Sequence, residues 1–516
     1  MANLAKGLIM ELALFTVALS GFIALSYEIL WYRTITIVSG SAAASFGLML
    51  GFYLFGLALG AWYAGTWCRQ MTGEGDRRLL RRTAAFLLLA NAIAFMVLPT
   101  FAWTATIGAW PLSFAAVAVS SALFGAVLPL VSHFAVPPDR RAGRSMSHLY
   151  VANIVGSTVG SFMTGFVLLD LWPLRIIAVV LLVLGCSASA ALYALSGPGT
   201  RLLEGLSLAG AVALAGVSVA PHLFGNFYEK LLFGPSAEGQ PAFDQVIENR
   251  SGVITVTPDG TVYGSGAYDG RISLDLFHDR NIIFRAYAIA ALHPAPREAL
   301  MIGLGGGAWA QVLAHHPSLE KLTIVEINPG YTEVIARHPE VASLLRNPKV
   351  EIITDDGRRW LRRHPDRRFD LIVSNTTLHW RAHSTNLLSV EFLHVVRPHL
   401  NRGGIYYFNT TYSNAALKTA LSVFHHGVRV VNFVAVSMDP LRFDEERLRE
   451  VLQNYSIDGH RLIDSRSEAD RQRLDLVLRA ADIEDRSSVL QRLAAVPLVT
   501  DDNMLTEWYP SPDRWR

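Results

Sequence analysis

A run of polar residues from Asn375 to Asn386 holds the side chains in this 516-residue sequence that are best suited to chemistry. Within it, His379 and His383 could exchange a proton near neutral pH, and the planar guanidinium of Arg381 could bind a carboxylate or phosphate. Together with Asn375 they form the candidate catalytic group. The structural alternative is a run that only caps the next helix while its charged side chains face solvent. Two histidines without nearby acids or cysteines are not typical of a metal site, and we predict none.

Glycines and acids upstream of this run stand where a nucleotide site is expected. Three glycines end a predicted strand and open a predicted helix, which lets the backbone approach a ligand closely. Glu326 ends the next strand about 20 positions later, where a carboxylate can accept hydrogen bonds from ribose hydroxyls. Asp356 ends the third strand, within reach of an adenine amino group. The predicted nucleoside-binding residues are therefore Gly305, Gly306, Gly307, Glu326 and Asp356.

Both groups need a scaffold that brings strand ends together, and the second half of the chain predicts one. Its β-rich apolar runs alternate with helical stretches, which favours a mostly parallel, doubly wound α/β sheet of the Rossmann-like type. Such sheets bind ligands at the carboxyl ends of their strands. A small β-hairpin element from Val246 to Tyr263 opens this half. The candidate strands are Ala299–Leu304, Leu322–Glu326, Val350–Thr354, Phe369–Ser374, Gly404–Phe408 and Val430–Val436.

The first half of the chain predicts an α-helical membrane bundle. The whole sequence is 51% apolar and only 17% charged, and most of its charges lie in the second half. A membrane-spanning helix needs about 20 predominantly apolar residues, and seven segments qualify. They are Leu12–Trp31, Ser45–Trp67, Thr83–Thr100, Leu112–Val136, Leu149–Leu169, Ile176–Leu195 and Leu202–Ala220. Glycines four positions apart predict close helix packing in lipid at Gly47/Gly51, Gly56/Gly60 and Gly156/Gly160.

The chain is therefore expected to contain a transmembrane bundle over residues 1–220, a linker over 221–244 and an α/β domain over 245–516. A formal net charge of +2 gives no basis for a nucleic-acid partner, so the lipid bilayer of the inner (plasma) membrane is the expected one. Cys68 and Cys186 are expected to be packing residues. Glu28, in the first span, is either functional or lies near the interface and pairs with Arg33.

Several of these motifs resemble the spermidine synthase family of aminopropyltransferases, in particular its membrane-fused branch. The resemblance rests on the runs Tyr27–Arg33 and Leu149–Asn153 in the bundle, on Tyr268-Asp269-Gly270, and on the glycine loop. It implies that Asp269 joins the cofactor site, that Glu326 binds ribose and that Asp356 binds adenine. The implied cofactor is S-adenosylmethionine or its decarboxylated form.

The sequence departs from this family where the family does its chemistry. Ala308 stands where the family's glycine loop continues with an aspartate, and Ser273 replaces a glutamine on the cofactor side. The family's catalytic Asp-Ser-Ser-Asp-Pro stretch aligns with Asn375–His379. An amide cannot take a proton from an attacking amine, and the loss of two carboxylates removes the attraction for a polycation. Ordinary synthesis of spermidine from putrescine is therefore not expected.

The leading hypothesis is a membrane-bound group transferase that acts on an anionic or amphipathic acceptor, either a small molecule or a lipid-like or peptidic one. Methyl, aminopropyl and aminocarboxypropyl transfer all remain open, and a homodimer is a further expected assembly. The first alternative is a catalytically degenerate nucleoside-binding sensor, or a protein coupled to transport. The second is an extracytoplasmic enzyme that reuses the fold without an adenosyl cofactor.

The orientation of the bundle leaves two readings open. Arginines cluster after the second and fourth segments, and the positive-inside rule places both turns and the N-terminus in the cytoplasm. Seven spans then put the second half outside, where adenosyl cofactors are not normally supplied. The intact nucleoside motifs favour the cytoplasm, which is our expectation for the soluble domain, while the arginine count favours the outside.

Overall fold

The structure is a computed structural model that describes residues 2–70, 76–196, 200–375, 378–464 and 466–508. The chain divides into two compact units. The first comprises Met1–Gly40, Ala44–Ala242 and Glu248–Gly252, and the second comprises Ser41–Ala43, Phe243–Ile247 and Val253–Arg516. The first unit therefore extends past the predicted end of the bundle, and the predicted linker is largely helical.

The first unit is helical, and within the described residues seven of its helices are long and apolar enough to cross a membrane. This number agrees with the seven predicted segments. The last long helix is followed by a helix of only seven residues, Phe227–Phe233. A π-helical turn, Thr164–Leu168, follows α5. The helices are α1 (Ala2–Val38), α2 (Ala44–Gln70), α3 (Asp76–Thr106), α4 (Ser113–Ala135), α5 (Ala142–Met163), α6 (Leu169–Leu171), α7 (Leu174–Leu195), α8 (Thr200–Leu223) and α9 (Phe227–Phe233).

Two of the three predicted glycine pairs lie in helix contacts. A Cβ atom added at Gly60 would lie 1.7 Å from the backbone oxygen of Ala122, so α2 and α4 approach closely there. A Cβ atom at Gly156 would lie 1.9 Å from the backbone oxygen of Ala18, which joins α5 to α1 in the same way. The prediction for Gly47 and Gly51 is wrong, since a Cβ atom at either position would meet nothing within 4 Å. Spacing alone does not say which face of a helix has a neighbour.

The first span buries Glu28 and Arg33, but not as a pair. Glu28 and Arg33 are each 9% exposed. The guanidinium of Arg33 donates a hydrogen bond to the backbone oxygen of Asn249, which belongs to the same unit. The predicted pairing of Arg33 with Glu28 is therefore replaced by a contact to a backbone carbonyl.

The second unit is the predicted α/β domain. Its eight-stranded sheet has the order β14-β10-β11-β9-β8-β5-β6-β7, and the pairs from β9 through β8, β5 and β6 to β7 are parallel. The smaller sheet, β1-β2-β3-β4, is the predicted hairpin element with one more strand. The strands are β1 (Gln245–Asn249), β2 (Gly252–Val256), β3 (Thr261–Gly264), β4 (Ala267–Arg271), β5 (Glu298–Ile302), β6 (Lys321–Glu326), β7 (Val350–Thr354), β8 (Phe369–Ser374), β9 (Leu400–Asn409), β10 (His426–Val430), β11 (Phe433–Ser437), β12 (Ser456–Ile457), β13 (His460–Arg461) and β14 (Ile483–Asp485).

Helices cover both faces of the large sheet, which explains why its strands read as continuous apolar runs. The helices are α10 (Phe284–Tyr287), α11 (Ile289–Leu292), α12 (Ala308–Ala314), α13 (Gly330–Arg337), α14 (Pro339–Ala342), α15 (Gly357–Arg363), α16 (Val390–Val396), α17 (Asn414–Val423), α18 (Glu445–Gln453), α19 (Glu468–Ala480), α20 (Arg486–Arg492) and α21 (Leu505–Trp508). Two apolar clusters, one on each face, form the core. The strand order reverses between β5 and β8, and open α/β sheets bind ligands at such a switch point.

The predicted strand Val430–Val436 is in fact a tight hairpin. The strands β10 and β11 pair antiparallel along their whole length, with Val430 opposite Phe433. The turn between them is Val431-Asn432, and Val431 adopts a left-handed backbone conformation with φ of 58°. The turn contains neither glycine nor proline, so the apolar pattern runs through it without a break.

Candidate active site

The glycine loop connects β5 to α12 at the carboxyl edge of the sheet. Gly305 and Gly307 have φ of 52° and 81°, a backbone conformation that other residues rarely adopt. A Cβ atom on Gly306 would stand 2.7 Å from Ile272, and one on Gly307 would stand 2.9 Å from Ile335. The loop thus requires glycine for both conformation and space.

Glu326 lies where β6 ends, against the glycine loop. Its carboxylate accepts hydrogen bonds from the backbone N–H groups of Leu304, at 2.6 Å, and Asn328, at 2.8 Å. Burial raises the pKa of Glu326 to about 7, with these two hydrogen bonds opposing the rise and the nearby Asp269 adding to it. Each carboxylate oxygen keeps a second lone pair, so the group can still accept hydrogen bonds from a diol.

Asp356 lies at the third strand end and caps the helix that follows. Its carboxylate accepts a hydrogen bond from the backbone N–H of Arg359 at 2.7 Å. The preceding acid, Asp355, instead forms ion pairs with Arg359 and Arg363. Asp356 is therefore the N-cap of α15, and its predicted contact with adenine stays a prediction.

A cavity of about 480 Å³ opens beside this edge of the sheet. It adjoins the glycine loop, because a Cβ atom on Gly305 would stand 3.3 Å from the backbone oxygen of Asp269, one of the lining residues. Asp269 is the only acid among the described lining residues. The cavity is lined by Tyr268, Asp269, Gly270, Arg280, Asn281, Ile282, Arg285, Asn375, Leu378, His379, Trp380, Asn409, Thr411, Tyr412 and Asn432.

Asp269 is held between a phenol and a guanidinium. The hydroxyl of Tyr331 donates a hydrogen bond to its carboxylate. Burial raises the pKa of Asp269, while the positive charge of Arg381 and the hydrogen bond from Tyr331 act in the opposite direction. Arg381 is itself fixed through its backbone, which forms an antiparallel bridge with Ala42. Arg381 thus lies beside the cavity, and its positive charge lowers the pKa of Asp269.

The two candidate histidines occupy different places. His379 lines the cavity, and its Nδ1 lies 3.2 Å from the backbone oxygen and 2.7 Å from the hydroxyl of Thr411. Because a carbonyl oxygen can only accept, that contact favours the tautomer with a proton on Nδ1 and leaves Nε2 unprotonated in the neutral ring. His383 is exposed and is not among the described residues that line the cavity. Thr376 and Thr377 of the same run lie outside the described residues.

A row of hydrogen bonds lines the cavity and runs from Arg285 through the side-chain amides of Asn432 and Asn409 to Asn375. Arg285 was not among the site residues predicted from the sequence. The Arg285 guanidinium is 6% exposed, and it donates to the Oδ1 of Asn432 at 2.5 Å. The Nδ2 of Asn432 donates to the Oδ1 of Asn409 at 2.9 Å. The Nδ2 of Asn409 in turn donates to the Oδ1 of Asn375 at 3.4 Å. A single arginine inside the apolar run that follows Asn281 was the available sequence signal, since a buried arginine requires partners.

Comparisons with known proteins point to spermidine synthases and their relatives, and the match over 401 residues also extends into the first unit. Residues 288–438 match the family described as Spermine/spermidine synthase domain. The chain is 28% identical over 401 residues to polyamine aminopropyltransferase 2 of Streptomyces coelicolor, covering 72% of this chain and 69% of that protein. It is 32% identical over 126 residues to the polyamine aminopropyltransferase of Desulforudis audaxviator, covering 23% of this chain but only 45% of that enzyme.

The second unit contains a domain that is similar to spermidine synthases. Solved structures of similar fold include a spermidine synthase in complex with the transition state analogue AdoDATO, at 20% identity and a TM-score of 0.34 over 46% of this chain and 87% of that one. Spermidine synthase from Thermotoga maritima is also similar, at 19% identity and a TM-score of 0.31 over 46% of this chain and 86% of that one. The chain thus combines this domain with seven apolar helices that are typical of a membrane protein.

The C-terminal segment of the second unit supports the candidate site from outside the matched region. Asp501 pairs with Arg358 through two hydrogen bonds, of 2.8 and 2.5 Å, and also accepts from the Ser389 hydroxyl. Arg358 is therefore buried in an ion pair. Glu507 accepts hydrogen bonds from the backbone N–H groups of His383, at 2.9 Å, and Thr385, at 3.0 Å. It thereby fixes the polar run that follows β8.

Proposed function

We propose that this domain binds an adenosyl nucleoside at the glycine loop and transfers a group from S-adenosylmethionine, or its decarboxylated form, to an anionic or amphipathic acceptor other than putrescine. The carrying observation is the cavity beside the glycine loop, which presents amides and guanidinium groups and, among its described lining, one acid. That acid, Asp269, already has Tyr331 and Arg381 for partners. A polyamine would find little negative charge there.

The residues fit an adenosyl ligand on physical grounds. The left-handed glycines leave space at the sheet edge that any Cβ atom would take. Glu326 would hold the ribose hydroxyls and Asp356 the adenine amino group, while His379 could accept a proton through Nε2. The sulfonium of the cofactor supplies a carbon that an acceptor nucleophile can attack, so that the carbon–sulfur bond breaks and a neutral thioether leaves.

Calorimetry on the full-length protein in detergent tests the nucleoside site. Wild type should bind S-adenosylmethionine, its decarboxylated form or methylthioadenosine, and Glu326→Gln should weaken binding by about 10- to 100-fold, since charge-assisted hydrogen bonds are lost. Glu320→Gln, which changes an exposed acid paired with Arg297, is the matched control and should bind normally. No binding of any of the three ligands to wild type would end the proposal. Binding without release of labelled thioether in native membranes would instead favour a sensor.

A second candidate is an enzyme that uses this cavity outside the cytoplasm and without an adenosyl cofactor. It is supported by the turn between α1 and α2, because Ser41–Ala43 belongs to the second unit. The Ser41 hydroxyl donates to the backbone oxygen of Ser265, and the Ala382 N–H donates to the backbone oxygen of Ser41, both at 2.8 Å. By the positive-inside rule the arginines that follow the second and fourth predicted segments are cytoplasmic, and seven spans then leave both the turn after the first span and the second half of the chain outside the cytoplasm.

A reporter fused after Arg516 separates the two candidates. Alkaline phosphatase is active only outside the cytoplasm, whereas green fluorescent protein matures well inside it. Fluorescence without phosphatase activity supports the adenosyl transferase, and the reverse result supports the extracytoplasmic enzyme.

A further inference from the structure

We propose that Arg285, together with the amide row that it orients, forms a seat for a carboxylate or phosphate group in the acceptor cavity. This rests on the proposed function, because it names the chemical class of the group held beside the nucleoside site.

The first support is the charge balance of Arg285. Its three nitrogen atoms donate to the backbone oxygens of Ile282, at 3.0 Å, and Asn281, and to the side chain of Asn432. A further contact, at 3.5 Å, goes to the Oδ1 of Asn281, so every hydrogen-bond acceptor of the guanidinium is neutral. The carboxylate of Asp279 acts on Arg285 through its charge. The guanidinium also lies over the ring of Phe433, 5.0 Å from its centre. A buried cation is stable when an anion offsets the loss of hydration, and a ligand that enters this cavity can supply one.

The second support is the direction of the amide row. Arginine can only donate, so the side chain of Asn432 must turn its oxygen towards Arg285 and its nitrogen towards Asn409. The Oδ1 of Asn409 also accepts from the backbone N–H of Thr411, at 2.8 Å, which fixes it as the acceptor. The last bond then places the oxygen of Asn375 towards Asn409, and leaves the Asn375 amide group as a donor. The amide nitrogens of Asn375, Asn409 and Asn432 are therefore all assigned as donors, and donors suit an anion.

The third support is the strained backbone around the cavity. The lining residues Ile282, Thr411 and Tyr412 have φ of 57°, 46° and 65°. A β-branched residue in this region is costly, and such strain persists where the surrounding structure holds it for function. Ile282 lies next to the Asn281 carbonyl that accepts from Arg285, and Thr411 contacts His379 and Asn409. The strain is therefore located on the walls that position these donors.

The anion has two chemical sources. S-adenosylmethionine carries a carboxylate that its decarboxylated form lacks, so the seat could select the donor. The acceptor could instead bring a carboxylate or phosphate of its own.

Calorimetry on the full-length protein distinguishes these sources. Wild type, Arg285→Gln, Arg285→Lys and the surface control Arg473→Gln are each titrated with methylthioadenosine, S-adenosylmethionine and decarboxylated S-adenosylmethionine. Inorganic phosphate is then titrated into each protein, with and without saturating methylthioadenosine. Unchanged methylthioadenosine affinity in the Arg285 variants shows that the fold is intact. If the variants fail to fold, the proposal is decided by two wild-type quantities: the ratio of the affinities for S-adenosylmethionine and its decarboxylated form, and the affinity for phosphate.

A seat for the donor predicts that wild type prefers S-adenosylmethionine over its decarboxylated form by about 10- to 100-fold, and that Arg285→Gln removes this preference. A seat for the acceptor predicts no donor preference, but phosphate binding that Arg285→Gln abolishes and Arg285→Lys weakens, because lysine lacks the fork. Wild type that neither prefers the carboxylated donor nor binds phosphate overturns the seat, even when methylthioadenosine binds normally. Phosphate binding without methylthioadenosine binding overturns the nucleoside site and supports the seat.

Discussion

The proposed nucleoside end of the candidate site is formed mainly by backbone groups, whereas the proposed acceptor end is formed mainly by side chains. At the nucleoside end the backbone is decisive, since Gly305 and Gly307 adopt left-handed conformations and Glu326 accepts from backbone N–H groups. At the acceptor end side chains are decisive, since Arg285 and Asn432 begin a row of hydrogen bonds that spans several strands. Under the proposed function we expect the first end to suit any adenosyl ligand, and the second end to change its ligand when a few side chains are exchanged.

The largest effect is expected from Gly307→Ala, which changes the backbone of the nucleoside end. The new Cβ atom would stand 2.9 Å from Ile335 in a left-handed conformation, so the loop must move. Nucleoside affinity should fall about 100-fold, as expected when several hydrogen bonds are misplaced. Gly403→Ala is the control, because Gly403 has a similar φ of 74° but nothing within 4 Å of a Cβ atom. Equal losses in the two variants, measured by calorimetry, would contradict a specific role for the loop.

Arg381→Lys should separate the two ends. Lysine keeps the positive charge beside Asp269 but loses the bidentate geometry, so release of labelled thioether in native membranes should fall about 10-fold or more. Nucleoside affinity should stay within about twofold, because Arg381 lies beside the acceptor cavity. If both quantities fall together with thermal stability, Arg381 has only a structural role.

The pH dependence of nucleoside binding should report on Glu326. Its pKa of about 7 lies above the ordinary value of 4.5, so the carboxyl is protonated in mild acid and ionised in mild base. Because the ionised form is the better acceptor for ribose hydroxyls, affinity should rise up to about 10-fold between pH 6 and pH 8. Glu326→Gln should flatten the profile, and an equally steep profile in that variant would exclude Glu326 as the titrating group.

The same titration should act on stability with the opposite sign. A carboxyl whose pKa is raised by folding contributes stability that is fully present below pH 4.5 and is lost as the pH rises through about 7. The free protein should therefore lose about 3 kcal/mol of stability from this group between pH 5 and pH 8. Denaturant unfolding with and without methylthioadenosine should show that the ligand reduces this loss.

The smallest effect is expected at Glu507, which supports the polar run without lining the cavity. Glu507→Gln removes one charged acceptor for the N–H groups of His383 and Thr385, worth about 1 kcal/mol. Hydrogen exchange at these two amides should quicken by about five- to tenfold. Glu468→Gln, an exposed acid on α19, should leave them unchanged. Slow exchange in both variants would show that the run is held by other contacts.

The sequence predicted those parts of the molecule whose structure depends on residues that are close together in the chain. Strand ends, the glycine loop and Glu326 could be located because each lies where an apolar run stops. The hairpin at Val431 was missed because its turn carries no glycine or proline. Arg285 and Glu507 were missed because they act through contacts with Asn432 and with the backbone of His383, each about 125 to 150 positions away. Arg381 and Asp269 were both predicted site residues, but the sequence did not predict that they are neighbours.

The tripeptide Ser41–Ala43 has a consequence for the autonomy of the second unit. A fragment that starts at Phe243 would include almost all of this unit but not these three residues. The loop at Arg381 and Ala382 would then lose the bridge from Arg381 to Ala42 and the hydrogen bond from Ala382 to Ser41. The second unit is therefore not formed by one continuous segment, because three of its residues come from the turn between α1 and α2.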